Sequence, residues 1–240
     1  MAFTPVFHSE WIKIRTLRSQ LAALAMMLVV TALFSALASS DTSGDGFDPL
    51  FAVFFGVTFG QIAAIAFGTT AVSSEFQGGA LRLSLGAVPH RGRWFAAKAT
   101  AIAVPVFAVG LVTGAVTLVV GKAVLGADAD GLGWAEQMRG VVGCAVYLTL
   151  MALLAAGLTA VLRSGVATLS IVIPFLLIVS FVVGDASSDI ADLLPDRAGQ
   201  VALHETWAGA MGPWTGLAVT ALWAAAVLAA GAWSVRRRDA

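Results

Sequence analysis

Residues able to carry acid–base, nucleophilic or metal chemistry are few in this chain, and they are scattered. The three histidines, His8, His90 and His204, fall on both sides of the long apolar segments, and the single cysteine, Cys144, lies inside one of them. A lone cysteine forms no intrachain disulfide and no cysteine-rich metal site, and no ligand set with zinc spacing occurs. We therefore predict that this chain is not an enzyme and binds no cofactor or metal of its own.

The stretch best suited to a function is polar and regular, and it spans residues 73–98. Its landmarks are two glycines, three apolar residues at the spacing of one helix face, and a proline before a turn: Gly78, Gly79, Leu81, Leu85, Val88 and Pro89. Three arginines accompany them, Arg82, Arg91 and Arg93. A short apolar-faced helix beside arginines suits docking on another protein. The competing interpretation is an interfacial loop whose arginines meet anionic lipid headgroups.

The rest of the chain is dominated by apolar segments that must position this stretch. Hydrophobic residues make up 59% of the 240 residues and charged residues 12%, against roughly 25% charged in a soluble domain. Crossing the hydrocarbon core takes about 20 apolar residues per helix. Six uncharged runs are long enough: 21–38, 50–72, 99–121, 141–162, 166–184 and 214–235. The predicted fold class is an all-α integral membrane protein, with a six-transmembrane-helix bundle that forms a single domain over residues 1–240.

The connectors between these runs alternate in charge. Eleven of the fourteen basic residues lie before run one, between two and three, between four and five, or after six: Lys13, Arg15, Arg18, Arg82, Arg91, Arg93, Lys98, Arg163, Arg236, Arg237 and Arg238. The opposite connectors hold eleven of the fourteen acids. By the positive-inside rule the basic connectors are cytoplasmic. Both termini are then expected inside, and 185–213 forms an extracellular loop.

The first 20 residues are basic and patterned. Thr4 is placed as an N-cap with Pro5 as the first helical residue, and one face carries an apolar group beside a long basic stem: Phe7, Trp11, Ile14 and Arg18. This pattern predicts an amphipathic helix over 1–20 that lies along the inner membrane surface. The competing interpretation is a cleaved signal peptide, because Ala36-Leu37-Ala38 fits a small-residue cleavage site.

Small residues and one amide stand out inside the runs. Gly56 with Gly60, and Gly110 with Gly114, have the small-xxx-small spacing that lets helix backbones approach closely. We predict packing within one bundle, with a dimer seam as the alternative. Gln61 is a candidate polar residue of a translocation path; the alternative role is a hydrogen bond between helices.

Several short motifs resemble those of bacterial type-2 ATP-binding-cassette transporter permeases. The polar stretch supplies Glu75-Phe76-Gln77-Gly78-Gly79, then Pro89, Arg91 and Ala97-Lys98. The segment Ser9-Glu10-Trp11-Ile12-Lys13 with Arg15, and Leu194-Pro195 with Ala198-Gly199, are similar to that family too. Their order and placement extend the resemblance over nearly the whole chain. One departure is Gly79-Ala80, where many relatives have Gly-Thr.

The resemblance implies a function and partners. It implies a permease in the bacterial plasma membrane that pairs with a second permease copy or paralogue, with lipids around it and no nucleic acid. Separate ATPase subunits would bind ATP and magnesium and drive export of an amphipathic or apolar substrate. Residues 75–93 would form the coupling loop seated in the ATPase, and the N-terminal helix would be the family's connecting helix. The chain itself has no G-x-x-x-x-G-K-[ST] phosphate loop.

Two other function classes fit a chain of this composition. A secondary transporter or channel predicts inverted repeats with broken helices and buried ion ligands. A membrane assembly factor without transport activity predicts only a packed apolar bundle. The sequence leaves both open as alternatives.

Overall fold

The computed structural model describes residues 3–42, 47–78, 80–87, 90–179, 192–207 and 211–237, and this part of the chain contains no β-strand. Ten α-helices, numbered in chain order, lie within it: α1 (Phe3–Thr16), α2 (Arg18–Ser39), α3 (Pro49–Phe54), α4 (Val57–Ser73), α5 (Ala80–Ala87), α6 (Arg91–Leu125), α7 (Trp134–Leu162), α8 (Gly165–Pro174), α9 (Pro195–Gln200) and α10 (Pro213–Arg237). A π-helical turn continues α8, and 3-10 turns follow α4, α6 and α9: Phe175–Val179, Ser74–Phe76, Gly126–Ala129 and Val201–Leu203.

Five helical segments are long and apolar enough to cross a membrane: Arg18–Ser39, Pro49–Phe76, Arg91–Ala129, Trp134–Leu162 and Pro213–Arg237. This architecture is that of a multi-pass membrane protein, as the uncharged runs predict. The remaining predicted run, 166–184, corresponds to the shorter apolar helix Gly165–Ile178. Its last residues, 180–184, lie outside the described part of the chain.

Helix α7 is the centre of the bundle. It packs against α4, α6 and α10, and it is the most buried of the five candidate spans. Small residues make this possible: a Cβ at Gly68 of α4 would lie 2.1 Å from the carbonyl oxygen of Ala152, and one at Gly157 would lie 2.8 Å from the backbone of α10. In lipid, such close backbone contact supplies the van der Waals attraction that holds helices together.

The predicted small-residue pairs have the same role. Gly56 and Gly60 pack against Thr31 of α2, and Gly110 and Gly114 pack against α7. Both pairs face helices of the same chain, so packing within one bundle is confirmed for them.

Helix boundaries differ from the predicted ones at three places. The predicted helix 1–20 is divided at Leu17, whose extended backbone (φ −84°, ψ 113°) separates α1 from α2. The run 50–72 is interrupted at 55–56, where Gly56 approaches α2 too closely for a side chain. The last third of the polar stretch, from Arg91, is already helical and belongs to α6.

Charged connectors gather at two opposite ends of the bundle. One end, called the basic end below, holds α1, Ser74–Phe76, α5, the start of α6, Arg163 and the last turn of α10. There the Arg91 guanidinium donates a hydrogen bond to the carbonyl of Val235 at 3.0 Å. At the other end, called the acidic end, Asp48 contacts the segment after α9 through the backbone N–H of Glu205. The alternation of charge in the sequence therefore corresponds to the two ends of the fold.

The close contact between α4 and α7 predicts a large effect of one methyl group. Gly68→Ala is expected to lower stability by about 1–3 kcal/mol or more, because the added Cβ overlaps backbone atoms of Ala152. The apparent Tm of the purified protein in detergent measures this change.

Gly86→Ala is the matched control, since no heavy atom lies within 4 Å of a Cβ built at Gly86 in α5. Its Tm should be unchanged or slightly raised, because Ala favours helix over Gly by about 1 kcal/mol. Equal Tm values for the two variants would mean that α4 and α7 do not pack this closely.

Candidate functional site

Four charged side chains from three separate segments meet at the basic end. They are Glu10 and Lys13 of α1, Glu75 of the 3-10 turn after α4, and Lys98 of α6, and we call them the ion cluster. Glu10, Glu75 and Lys98 are only 2%, 3% and 4% exposed. Burial of this kind is rare for charged groups and requires close partners.

Each lysine of the ion cluster bridges both carboxylates. The Lys98 Nζ lies 2.5 Å from Glu10 Oε2 and 2.8 Å from Glu75 Oε1. The Lys13 Nζ lies 2.9 Å from Glu10 Oε1 and 2.8 Å from Glu75 Oε1. Ser84 of α5 donates a further hydrogen bond to Glu75 Oε2 at 3.0 Å. The two positive and two negative charges therefore alternate, and the cluster is neutral overall. Each of the four carboxylate oxygens accepts from a donor.

The sequence places these charges inside otherwise apolar helix faces. In α1, Val6, Glu10 and Ile14 recur every four residues, and all three are buried. In α6, Lys98 lies between two other buried positions, Trp94 and Ala101, at helical spacing. Each face carries one charge to the interior, and the two charges are opposite. The helices can pack only where these charges meet.

The surroundings of Lys13 keep its side chain protonated at neutral pH. Half-burial acts to lower the pKa of Lys13, but hydrogen bonds to Glu75 and Glu10, together with their charges, raise it above the ordinary 10.5. A raised lysine pKa means that the stabilising interaction is complete at neutral pH and is lost only as the pH rises beyond 10.5. Lys13 is therefore a permanent positive charge at physiological pH, and the ion cluster is the structural joint between α1, the turn after α4 and α6.

The predicted coupling-loop residues fall around this joint. Glu75 is one of its members. The ring of Phe76 lies 5.7 Å below the Arg163 guanidinium, a cation–π arrangement. Gly78 has φ +60°, a left-handed conformation that glycine adopts without strain, and it turns the chain toward α5.

The other predicted residues of the loop are spread along α5 and α6. Arg91 hydrogen-bonds to the end of α10, and Arg93 is exposed in the first turn of α6. Arg82 and Leu85 belong to α5, but their side chains lie outside what the structure describes, as does Pro89. The structure thus brings Glu75, Phe76 and Arg91 to the basic end without making them one site.

The N-terminal residues divide between two faces of α1 and the next helix. Glu10 joins the ion cluster, while the rings of Phe7 and Trp11 stack with their centroids 6.1 Å apart. Arg18, expected beside them, is the exposed first residue of α2. Sequence reasoning missed the pairing with Lys98. The available signal was Glu10 itself, because an acid between two apolar residues of one helix face needs a basic partner.

Gln61 takes part in a ring of hydrogen bonds near the acidic end. Its amide nitrogen donates to the carbonyl of Thr58 at 2.9 Å, and its oxygen accepts from the hydroxyl of Tyr147. Gln200 donates to that hydroxyl at 3.2 Å and accepts from the Thr58 hydroxyl at 3.3 Å. The ring joins α4, α7 and α9 and satisfies a fully buried tyrosine.

A cavity of about 540 Å³ lies beside this ring. One wall is aromatic, with three phenylalanines of the second span: Phe51, Phe55 and Phe59. The rest of the lining combines Leu176 and Leu177 with polar residues, mainly Gln61 and the α9 segment that includes Asp196, Arg197 and Gln200. A mixed lining of this kind accommodates a molecule that has both apolar and hydrogen-bonding parts.

A contact between Asp48 and His204 closes the acidic end. Asp48 caps α3 by accepting from the backbone N–H of Phe51 at 2.9 Å, and its other oxygen lies 3.0 Å from Nδ1 of His204. The His204 ring stacks on Phe51 with centroids 4.1 Å apart. Half-burial acts to raise the pKa of Asp48, but hydrogen bonds from His204 and from the backbone of Phe51 and Glu205 lower it below 3.8. This contact fastens the segment after α9 onto the second span.

The chain was compared with known protein families and with curated proteins. No model of a known protein family matches the chain, and no curated protein matches it. Within the described residues, no group of three or more His, Cys, Asp or Glu side chains is placed to hold a metal ion.

The ion cluster predicts strong coupling between its members. Lys98→Gln leaves two buried carboxylates facing only Lys13, and it should lower stability by about 3–5 kcal/mol. Adding Glu75→Gln to Lys98→Gln restores a neutral Glu10–Lys13 pair, so the double variant should lose clearly less than the sum of the single losses. The apparent Tm of the two single variants and the double variant gives this cycle.

Lys13→Gln is the control within the cluster, because the Lys13 side chain is 41% exposed and water compensates its loss. It should be the mildest of the single changes. Strictly additive losses for Lys98 and Glu75 would contradict the shared cluster.

The Asp48 contact predicts a dependence on pH. Asn is also a good helix N-cap, so Asp48→Asn keeps the bond from Phe51 and removes mainly the charge next to His204. Because the folded pKa of Asp48 is depressed, its stabilising effect is present above 3.8 and is lost as the pH falls through the lower folded value. The Tm difference between the native protein and Asp48→Asn should therefore be present at every pH above 3.8 and disappear only in stronger acid, once the pH has fallen below the depressed folded pKa of Asp48. A difference that persists unchanged in acid would exclude the charge as its cause.

Proposed function

We propose that this chain is the membrane-spanning permease subunit of an ATP-driven transporter, in which separate ATPase subunits bind and hydrolyse ATP. A second copy of the chain, or a paralogue, completes the permease. The observation that carries the proposal is the ion cluster, because it joins α1, α5 and two membrane spans at one end of the bundle.

A permease without a phosphate loop must receive mechanical work from its ATPase. In this proposal α5 and the turn around Gly78 sit in the ATPase, and Ser84 connects α5 to Glu75 at the end of the span Pro49–Phe76. Glu75 is in turn bound to Lys98 at the start of the next span. Separating such a buried pair costs about 3–5 kcal/mol. A displacement of α5 therefore moves both spans together instead of dissipating in a loop.

The charge pattern supports this arrangement in the membrane. The basic end carries most of the Lys and Arg residues of the connectors, and the positive-inside rule assigns such an end to the cytoplasm, where ATP is available. The proposal includes six spans, one of which contains the shorter apolar helix Gly165–Ile178, and both termini in the cytoplasm of a bacterial cell.

The cavity at the acidic end supports export of an amphipathic substrate. Its phenylalanines suit an apolar body, while Arg197 and Gln200, which are partly exposed, offer N–H donors to a polar group. Gln61 then has both of its predicted roles, since it holds the hydrogen-bonded ring and borders the cavity.

A pull-down tests the proposal. We expect that the tagged chain, solubilised from its native membrane in detergent, retains a phosphate-loop ATPase that mass spectrometry identifies and an ATPase assay detects. Replacing Ala80–Ala87 with a Gly/Ser linker of the same length should remove the ATPase while the chain still inserts into the membrane.

The matched control replaces Gly126–Ala129, a turn at the acidic end, with Gly and Ser residues. This variant should retain the ATPase. A chain that is recovered alone and moves solute into liposomes without ATP would establish secondary transport or a channel instead. A chain recovered with neither ATPase nor solute movement would favour an assembly factor.

A further inference from the structure

A groove of about 620 Å³ runs between α1 and α6 on the outside of the bundle. It is separate from the ion cluster, which lies on the other side of α1. Its apolar lining comes from Phe7, Trp11 and Ile12 of α1 and from Val104 of α6, and Arg15 and His8 lie at its polar edge.

The apolar part of the groove continues onto a surface that faces lipid. Ile12 is 48% exposed and Val104 is 45% exposed, and Phe107, one turn further along α6, is 38% exposed. Exposed apolar side chains on a spanning helix lie against acyl chains. Trp11 marks the level of the groove as the membrane interface, where tryptophan is enriched. The groove therefore opens toward the hydrocarbon at one end and toward the headgroups at the other.

The polar edge carries a cation that has no acidic partner in the described part of the chain. The two described carboxylates of the basic end, Glu10 and Glu75, are both engaged by Lys13 and Lys98 in the ion cluster. No hydrogen bond or ion pair connects Arg15 to any described residue. Arg15 is exposed. It lines the same groove as His8, which lies two helical turns earlier on the same side of α1. A guanidinium in this setting binds a phosphate group in a bidentate geometry.

We propose that this groove is a binding site for an anionic phospholipid. The phosphate lies at Arg15 and His8, and the upper part of one acyl chain lies over Phe7 and Trp11 against Val104. Charge complementarity at one end and continuity with the lipid-facing surface of α6 at the other select this occupant. The inference requires a membrane around the chain but does not depend on ATP-driven transport.

The site has a consequence for the ion cluster. Helix α1 carries the groove on one face and Glu10 on another, so a lipid in the groove presses α1 against α6. Anionic lipid is therefore expected to stabilise the packing that completes the cluster.

Native mass spectrometry of the full-length purified chain tests the proposal with two probes, phosphatidylglycerol and phosphatidylcholine with identical acyl chains. The native protein should retain phosphatidylglycerol in preference and gain thermal stability from it. Arg15→Gln should weaken retention of phosphatidylglycerol about fivefold, since one basic residue near the surface contributes about 1 kcal/mol. It should weaken phosphatidylcholine retention less, because the choline cation of that headgroup offsets its phosphate charge. Arg15→Lys should recover only part of the preference, because lysine keeps the charge but not the bidentate geometry.

Two further variants distinguish a specific lipid-binding site from nonspecific electrostatic attraction of anionic lipid to the basic end. Trp11→Ala should weaken retention of both lipids, because it removes the apolar floor. Arg237→Gln is the control: this arginine is also at the basic end, 4.8 Å from the Trp233 ring, and its loss should not change the preference. An unchanged preference in Arg15→Gln, or an equal loss in Arg237→Gln, would overturn the proposal.

Discussion

A carboxylate removed from water at the end of a membrane bundle must be held by cations within hydrogen-bonding distance, because desolvation costs several kcal/mol per ion. Glu10 and Glu75 meet this condition only if α1, the end of α4 and the start of α6 come together around Lys98. The requirement acts across long stretches of chain, since Glu10 and Lys98 are 88 residues apart. The architecture of the basic end therefore depends on one neutral group of four charges.

Close backbone packing connects this joint to the rest of the bundle. Helix α7 holds α4, α6 and α10 at distances that leave no room for a single added methyl group at Gly68 or Gly157. Packed interiors of this density transmit displacement instead of absorbing it. The joint at the basic end and the hydrogen-bonded ring of Gln61, Tyr147 and Gln200 near the acidic end are thus connected through α4 and α7 as rigid elements.

The sequence predicts the features that depend on local composition. Uncharged runs predict the five candidate spans, and small-residue spacing predicts packing at Gly56 and Gly110, because both follow from what a bilayer requires of any helix. It does not predict the break at 55–56 or the pairing of Glu75 with Lys98. Those features depend on which helices become neighbours, and Gly56 is at a break only because Thr31 of α2 lies against it. The charged residues themselves can be read from the sequence, but their partners cannot.

The two faces of α1 lie in two different environments. Its face with Val6, Glu10 and Ile14 turns inward, where a charge is tolerated only in the ion cluster. Its face with Phe7, Trp11 and Arg15 turns outward, where aromatic rings and a guanidinium are the side chains that suit a membrane interface. Because both described carboxylates of the basic end are already engaged by the two lysines, Arg15 has no acidic partner in the part of the chain that the structure describes. The two-to-two stoichiometry of the buried cluster thus leaves Arg15 as an exposed cation of α1.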